Sequence, residues 1–392
     1  MLAPLTRPSA RALLSPSARV LVAASDPDGG VARAHALPWS DVHWPTFVAL
    51  TTFERAEFQV SRLLRAAPPG AVPDDVTKTM QDIFRVALFR SAGMAEAAGV
   101  AVDALASAGV PALWLKGAAL AMQSAEDFSV RNMGDLDVLV DPARHAAAVE
   151  VLVKAGWTDA GPHESYASHH HGAPLVWKGE VRLELHSGLF PPRHPFFADS
   201  AEAWIGRGLP VTWGARRVLV LRAAWHLVHA SVHWAWSHEG EVGTWQYLHD
   251  VARLTAGWGV GDPRWADVIS GADAIGALVP VGWGLWSASR LGGASVDDSV
   301  VGRLRGKSSL LGGMSEREWV LRAFQSPAAS PSVTWSRFWW RRAMRGLGAD
   351  SGCWPWDAGR ASVAVPPELG AAPRRGGVLE RWRRHLGRVL RG

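Results

Sequence analysis

Bulky apolar residues recur at helical spacing over residues 44–66, the first long stretch with a clear period. A second helix is predicted from Asp75, a candidate N-cap, with Met80, Ile83, Phe84, Ala87 and Leu88 on one face. It continues, with a break near Gly99, to Gly109. The pattern then changes. Residues 111–115 read as a short buried strand, 118–125 as an Ala-rich helix, and Leu136–Val140 as a second strand. Asp141-Pro142 is a helix start, Asp at the N-cap and Pro at N1, for a helix that runs to Ala155 and stops at Gly156. Leu175–Trp177 and Val181–His186 flank Lys178-Gly179 as a hairpin. After Pro191 the pattern turns mostly helical. Residues 218–236 are long and apolar, 244–256 follow, and Ser315 with Glu318 forms a capping box.

These elements predict an α+β protein in five parts. Residues 1–40, rich in Pro, Ser, Ala and Gly, read as a disordered leader. Residues 41–109 form an N-terminal helical segment, 110–200 a small α/β core, 201–350 a helical domain, and 351–392 a loop and basic amphipathic tail. No internal repeat is found.

Composition adds bounds. A chain of 392 residues with 48% hydrophobic and 20% charged residues is globular and long enough for two or three cores. The 22 tryptophans are unusual, and their spread through the second half favours packing between helices over one ligand box. One cysteine, Cys353, excludes an internal disulfide and fits a reducing compartment. Its loop-like setting, with no basic or histidine neighbour, does not suggest a nucleophile. The net charge of +5 favours anionic partners, although arginines in the tail supply much of it. The longest apolar run, 274–288, is interrupted by Pro280 and glycines and reads as a buried helix pair, so no transmembrane segment is expected. Arg7, Arg11 and Arg19, with no acidic residue before Asp26, resemble a transit peptide but lack an apolar core. A cytoplasmic protein is the expectation.

The chemistry centres on Asp135 and Asp137. One residue apart at the start of a strand, their side chains share a face, with Leu136, Val138 and Val140 on the other. Two adjacent carboxylates repel unless a cation neutralises them, and hard oxygen ligands suit Mg²⁺. Glu184 and His186 share one face of the strand Val181–His186, so neighbouring strands would bring Glu184 to the acidic pair. Three carboxylates can hold two metal ions roughly 3.5–4 Å apart. Lys116-Gly117, between a strand and a helix start, could present N–H groups and a mobile charge to phosphates. Arg131 either reaches phosphate from its loop or pairs with a carboxylate. Glu184 is a metal ligand or an exposed strand residue. His186 is a packed histidine or a participant in catalysis.

The run from Trp114-Leu-Lys-Gly-Ala-Ala-Leu120, through Arg131-Asn-Met-Gly-Asp-Leu-Asp-Val-Leu-Val140, to Leu183-Glu-Leu-His186 resembles the uncharacterised nucleotidyltransferase family of the polymerase-β-like superfamily. The resemblance spans roughly 44–260 and is sharp in 113–186. It implies a minimal polymerase-β-like nucleotidyltransferase core, a small mixed sheet with helices, flanked by N-terminal helices and a C-terminal helical domain. In that core Asp135, Asp137 and Glu184 would bind metal, two Mg²⁺ ions, with an NTP as co-substrate. The wider superfamily's usual Gly-Ser ahead of the acidic pair is replaced here by Lys116-Gly117, a form the closer family shares. The acceptor would be a small molecule, a peptide or a protein hydroxyl, and pyrophosphate would leave. No nucleic-acid-binding signature is present.

Two other readings remain open: a nucleotide-binding module without turnover, and a zinc hydrolase built on histidines. His226, His229 and His233 fall on one helical face. The resemblance also implies histidines in this helix followed by Asp250, which makes His229 and Asp250 candidate linings of the nucleotide or acceptor cleft. His169-His170-His171 read as a polar loop. The tail from Arg374 places Val378, Leu379, Trp382, Leu386 and Val389 at helical spacing among seven arginines, a candidate surface for an acidic partner or a membrane, or a helix that docks on the protein itself.

Overall fold

The computed structural model describes residues 5–324, apart from 28, 125–126, 162–170, 191–193, 197–198, 239, 241, 306–315, 318 and 322. The Ser315/Glu318 capping box, His169, His170, Cys353 and the basic tail lie outside the described residues.

The leader is not a loose extension. Helices α1 (Arg7–Ala12) and α2 (Pro16–Ala23) start where Thr6 and Ser15 cap them with Pro in the first turn, so the Ser-Pro content marks helix starts rather than coil. Val20, Leu21 and Val22 are buried. Arg7 donates to the carbonyls of Ser289 and Ala294, and Arg11 to those of Leu291 and Gly292, at 2.6–2.8 Å. Those carbonyls lie at the end of a helix far along the chain and in the residues just after it, where the helix terminus leaves carbonyls without partners.

After α3 (Gly29–Ala32), the apolar run 44–66 splits into α4 (Trp44–Phe53) and α5 (Glu57–Arg65), because Arg55 takes φ 54°. The next helix, α6 (Asp74–Ser107), is unbroken at Gly99. A Cβ there would lie 3.1 Å from the Arg216 guanidinium, so this glycine admits a crossing side chain instead of ending the helix. With 34 residues, α6 is about 50 Å long. It touches both hydrophobic cores: Val76 and Met80 belong to one, Met94 to Leu105 to the other.

The second core holds the sheet. In chain order come β1 (Ala112–Trp114), α7 (Lys116–Met122), β2 (Leu136–Val140), α8 (His145–Lys154), β3 (Thr158–Asp159), β4 (Leu175–Trp177) and β5 (Val181–His186). Asp141 caps the turn into α8 as expected, its side chain accepting from the Ala143 N–H. Lys178 and Gly179 both take positive φ in the hairpin turn, a loop of three residues because Trp177 pairs with Val181. After α9 (Ala201–Gly206), β6 (Leu209–Trp213) and β7 (Arg216–Val220) form a second hairpin. The expectation of helix throughout 218–236 is corrected here. Val218 and Val220 are buried while Leu219 is less so, a strand alternation masked by the apolar run that continues into the next helix. The seven strands form one mixed sheet in the order β3-β4-β5-β2-β1-β7-β6. β2 is antiparallel to β1 and parallel to β5, and β1 is parallel to β7.

Helices α10 (Ala223–Val232), α11 (Thr244–Leu254), α12 (Arg264–Ala274), α13 (Leu278–Arg290) and α14 (Asp298–Arg305) follow, and their core is continuous with that of α1–α5. Tryptophans pack there in edge-on pairs, Trp204 on Trp225, Trp258 on Trp265 and Trp283 on Trp286, as helix-packing residues. No helix of the described residues is long and apolar enough to cross a membrane.

Candidate functional site

Register sets the site. β2 and β5 run parallel with Asp137 opposite Glu184 and Leu139 opposite His186. The face that carries Leu136 and Val138 is buried in the sheet core, so Asp137, Glu184 and His186 are turned to the other side. Among the described residues these three are the one group whose ligand atoms lie within 4.8 Å of one another. Asp135 is one residue ahead of β2. It lines the same cleft but stands outside that group.

Asp137 is almost fully enclosed. Its Oδ1 accepts from Lys116 Nζ at 2.7 Å and from His186 Nε2 at 2.9 Å. Burial alone would raise the Asp137 pKa, but the Lys116 charge and the His186 hydrogen bond hold it well below the usual carboxylate range. The ionised carboxylate therefore accepts a hydrogen bond from the His186 Nε2–H, and burial keeps the imidazole neutral by lowering its pKa. Burial works against the Lys116 ammonium too, yet Asp137 and Asp135 outweigh it and raise its pKa. Asp135 behaves oppositely: burial and then the Asp137 charge push its carboxyl up to about 6. Glu184 Oε2 is 4.0 Å from His186 Nε2 and 3.8 Å from His171 Nε2. His171 bridges to His186 at the edge of β5, so the third residue of the triple histidine joins the site rather than a remote polar loop.

These residues fit a divalent cation. Asp135 and Asp137 line one cleft, Glu184 lies opposite Asp137 across the β2/β5 pairing, the Asp137 charge raises the proton affinity of Asp135, and an ammonium already sits beside Asp137. Hard oxygen donors suit Mg²⁺. His186 Nε2 donates to Asp137, so it orients that carboxylate rather than offering a lone pair.

The remaining candidates divide. Lys116 takes φ 49°, an uncommon conformation for a residue with a side chain, and opens α7 beside Gly117. A Cβ on Gly117 would lie 2.6 Å from Met133 Sδ and 2.7 Å from Arg131 Nη2, so glycine lets the 131–135 loop close on α7. Arg131 pairs with Asp250, Nε to Oδ1 3.0 Å, the carboxylate alternative left open by the sequence. The loop is further held by Asn132 donating to Glu57 and by Gln246 donating to the Asn132 carbonyl. Asp250 lines the cleft, as do His226 and His233; His229 is buried against Phe190 and His233 and is not among the lining residues. Burial holds His226 down at about 4 and His229 and His233 well below their ordinary value. Among the described residues these histidines form no metal-ligand group, which removes the geometric basis for the zinc reading.

The cleft has room for about 560 Å³ and lies between the sheet's acidic face and the helices around it. Arg55 and Arg90, on its α4 and α6 side, were not singled out from the sequence. Arg55 lies in the turn after α4 and Arg90 within α6, neither in a local motif, and the unusual φ of Arg55 is visible only in three dimensions.

A mixed sheet that pairs carboxylates on two adjacent parallel strands, beside a cleft bordered by helices, fits a nucleotidyltransferase-type core. The chain belongs to the uncharacterised nucleotidyltransferase family, whose model matches residues 40–293. Searches of curated proteins and of solved structures find no match.

Proposed function

We propose that this protein transfers a nucleoside monophosphate from an NTP to an acceptor hydroxyl of a small molecule, peptide or protein, with release of pyrophosphate. The observation that carries the reading is the β2/β5 register, which sets Glu184 opposite Asp137, a residue that lines the cleft together with Asp135. Asp135, Asp137 and Glu184 would hold Mg²⁺, and His186 would keep Asp137 turned toward it. When bound, Mg²⁺ supplies charge neutralisation for the phosphates and activation of the attacking oxygen.

The chain's own groups do the rest. Lys116 keeps Asp137 ionised, so the site is poised for a cation without first losing a proton there. The Arg131–Asp250 pair fixes the loop that carries Asp135. Ile83, Val86 and Trp234 give the cleft apolar wall beside its charged groups. In the transfer the acceptor oxygen forms a bond to the α-phosphorus and the bond from that phosphorus to the bridging oxygen breaks. The electron pair leaves with pyrophosphate, and the hydroxyl proton passes to a base or water.

The test is a screen of the four NTPs, with and without Mg²⁺, by thermal shift and pyrophosphate release. Nucleotide-dependent stabilisation that requires Mg²⁺ and is lost in Asp137→Ala is expected. An Asp137→Ala protein that binds metal–NTP and turns over like the parent would end this reading.

A further inference from the structure

Arg55 and Arg90 are not used by that reading, and their geometry needs an explanation. Arg55 follows α4 in a left-handed conformation, φ 54°, which a residue with a Cβ adopts only when its surroundings require it. The conformation lays its guanidinium against Gly134. A Cβ on Gly134 would lie 2.4 Å from Nη1 and 2.8 Å from Nη2, so glycine is what admits the contact. Arg55 Nη1 is buried and has no hydrogen-bond partner among the described residues. From α6, Arg90 Nη2 donates to the Gly134 carbonyl at 3.3 Å. Two guanidinium groups thus meet at one glycine, immediately before Asp135, and both line the cleft. The Arg90 charge opposes that of Arg55, the Asp135 and Glu57 carboxylates favour it, and an anion shared between the two guanidinium groups would add to that relief. The cations the sequence points to are engaged elsewhere: Lys116 with Asp137 and Arg131 with Asp250.

We propose that Arg55 and Arg90 form a two-arginine seat for the polyphosphate of the nucleotide, so that the helices preceding the sheet hold the group that leaves. The identity of the anion rests on the transferase reading; the seat itself does not. Planar guanidinium forks match phosphate oxygens in pairs, which suits a polyphosphate better than a single ammonium would. The loop carrying Asp135 touches the seat, so phosphate and carboxylates are positioned by the same few residues. The N-terminal helices then belong to the active site rather than to a separate support.

The experiment is calorimetric titration of the full chain, free of nucleotide and divalent metal, with inorganic tripolyphosphate, pyrophosphate and orthophosphate. The variants are Arg55→Gln and Arg90→Gln. Arg90 is exposed, so its replacement leaves the fold intact even if that of Arg55 does not. Expected are binding of tripolyphosphate ahead of orthophosphate and a roughly 10- to 100-fold loss in each variant. Absence of tripolyphosphate binding in the parent, or parent-like binding by Arg90→Gln, overturns the seat. The two readings fail separately. Arginine-dependent polyphosphate binding with no pyrophosphate release from any NTP would remove the transferase and leave the seat. Pyrophosphate release with variants that bind as the parent does would do the reverse.

Discussion

Replacing Asp250 by Ala isolates the contact that fixes the loop over the acidic residues. Arg131 and Asp250 approach to 3.0 Å with side chains 11% and 8% exposed. At an effective dielectric of about 20, unit charges at that separation attract by about 5 kcal/mol, much of which desolvation cancels. Removing one partner forfeits the attraction but keeps the penalty, because the remaining guanidinium stays out of water. Such breaks cost about 3–5 kcal/mol. The approach lies off the hydrogen-bond direction, which puts the expectation at the lower end, about 3 kcal/mol. The assay is urea unfolding at pH 7.5, with Arg131→Met/Asp250→Leu as control. The double variant removes both charges and should recover most of the loss. An Asp250→Ala protein within about 1 kcal/mol of the parent would refute the reasoning. It would mean that Arg131 is not committed to Asp250 and that its charge is available to a ligand.

Two further outcomes follow from buried groups. Glu54 accepts from the Trp245 N–H at the start of α11, and burial, outweighing that bond, pushes its carboxyl from 4.5 up to about 7. The folded state then binds the extra proton, so this group's contribution makes stability fall as pH rises from about 4.5 to about 7, by about 3 kcal/mol over that 2.5-unit difference. Glu54→Gln should lose this fall, read as urea midpoints at pH 5 and pH 8; parallel pH curves for the two proteins would contradict it. Gly117→Ala forces a methyl against Met133 and Arg131 and should cost about 1–3 kcal/mol, together with weaker nucleotide-dependent thermal stabilisation, and unchanged melting would show that the loop yields freely.

What was legible in the sequence is what depends on neighbours along the chain. The alternation in Leu136–Val140 and Val181–His186, the Lys178-Gly179 turn and the Asp141-Pro142 start each carry their own cause, and the structure has all four. The same alternation put Asp135 with Asp137, and Glu184 with His186, on shared faces before any strand pairing was known. Ser15-Pro16 shows the limit. The dipeptide fits a coil or a helix start equally well, and what decides is whether a partner covers Val20 to Val22. That partner comes from the far end of the chain, where Arg7 and Arg11 meet the carbonyls after α13. β7 was hidden for a related reason: a buried strand joined to a buried helix reads as one apolar run, and only pairing with β1 separates them.

The cleft makes the distinction sharper. Its carboxylates come from a local pattern, but much of what tunes them comes from other elements: Lys116 opens α7, His186 ends β5, and Arg55 follows α4. The effect of these groups is electrostatic, so it depends on distance through space, and spacing along the chain does not encode it. Asp135 and Asp137 illustrate this directly. They are two residues apart on one strand edge, yet one carboxyl is pushed up to about 6 and the other held well below its usual range. Lys116 and His186 bond to Asp137 and not to Asp135. A motif can therefore name the pair, but the division of labour within it follows from which oxygen the neighbouring helix and strand reach.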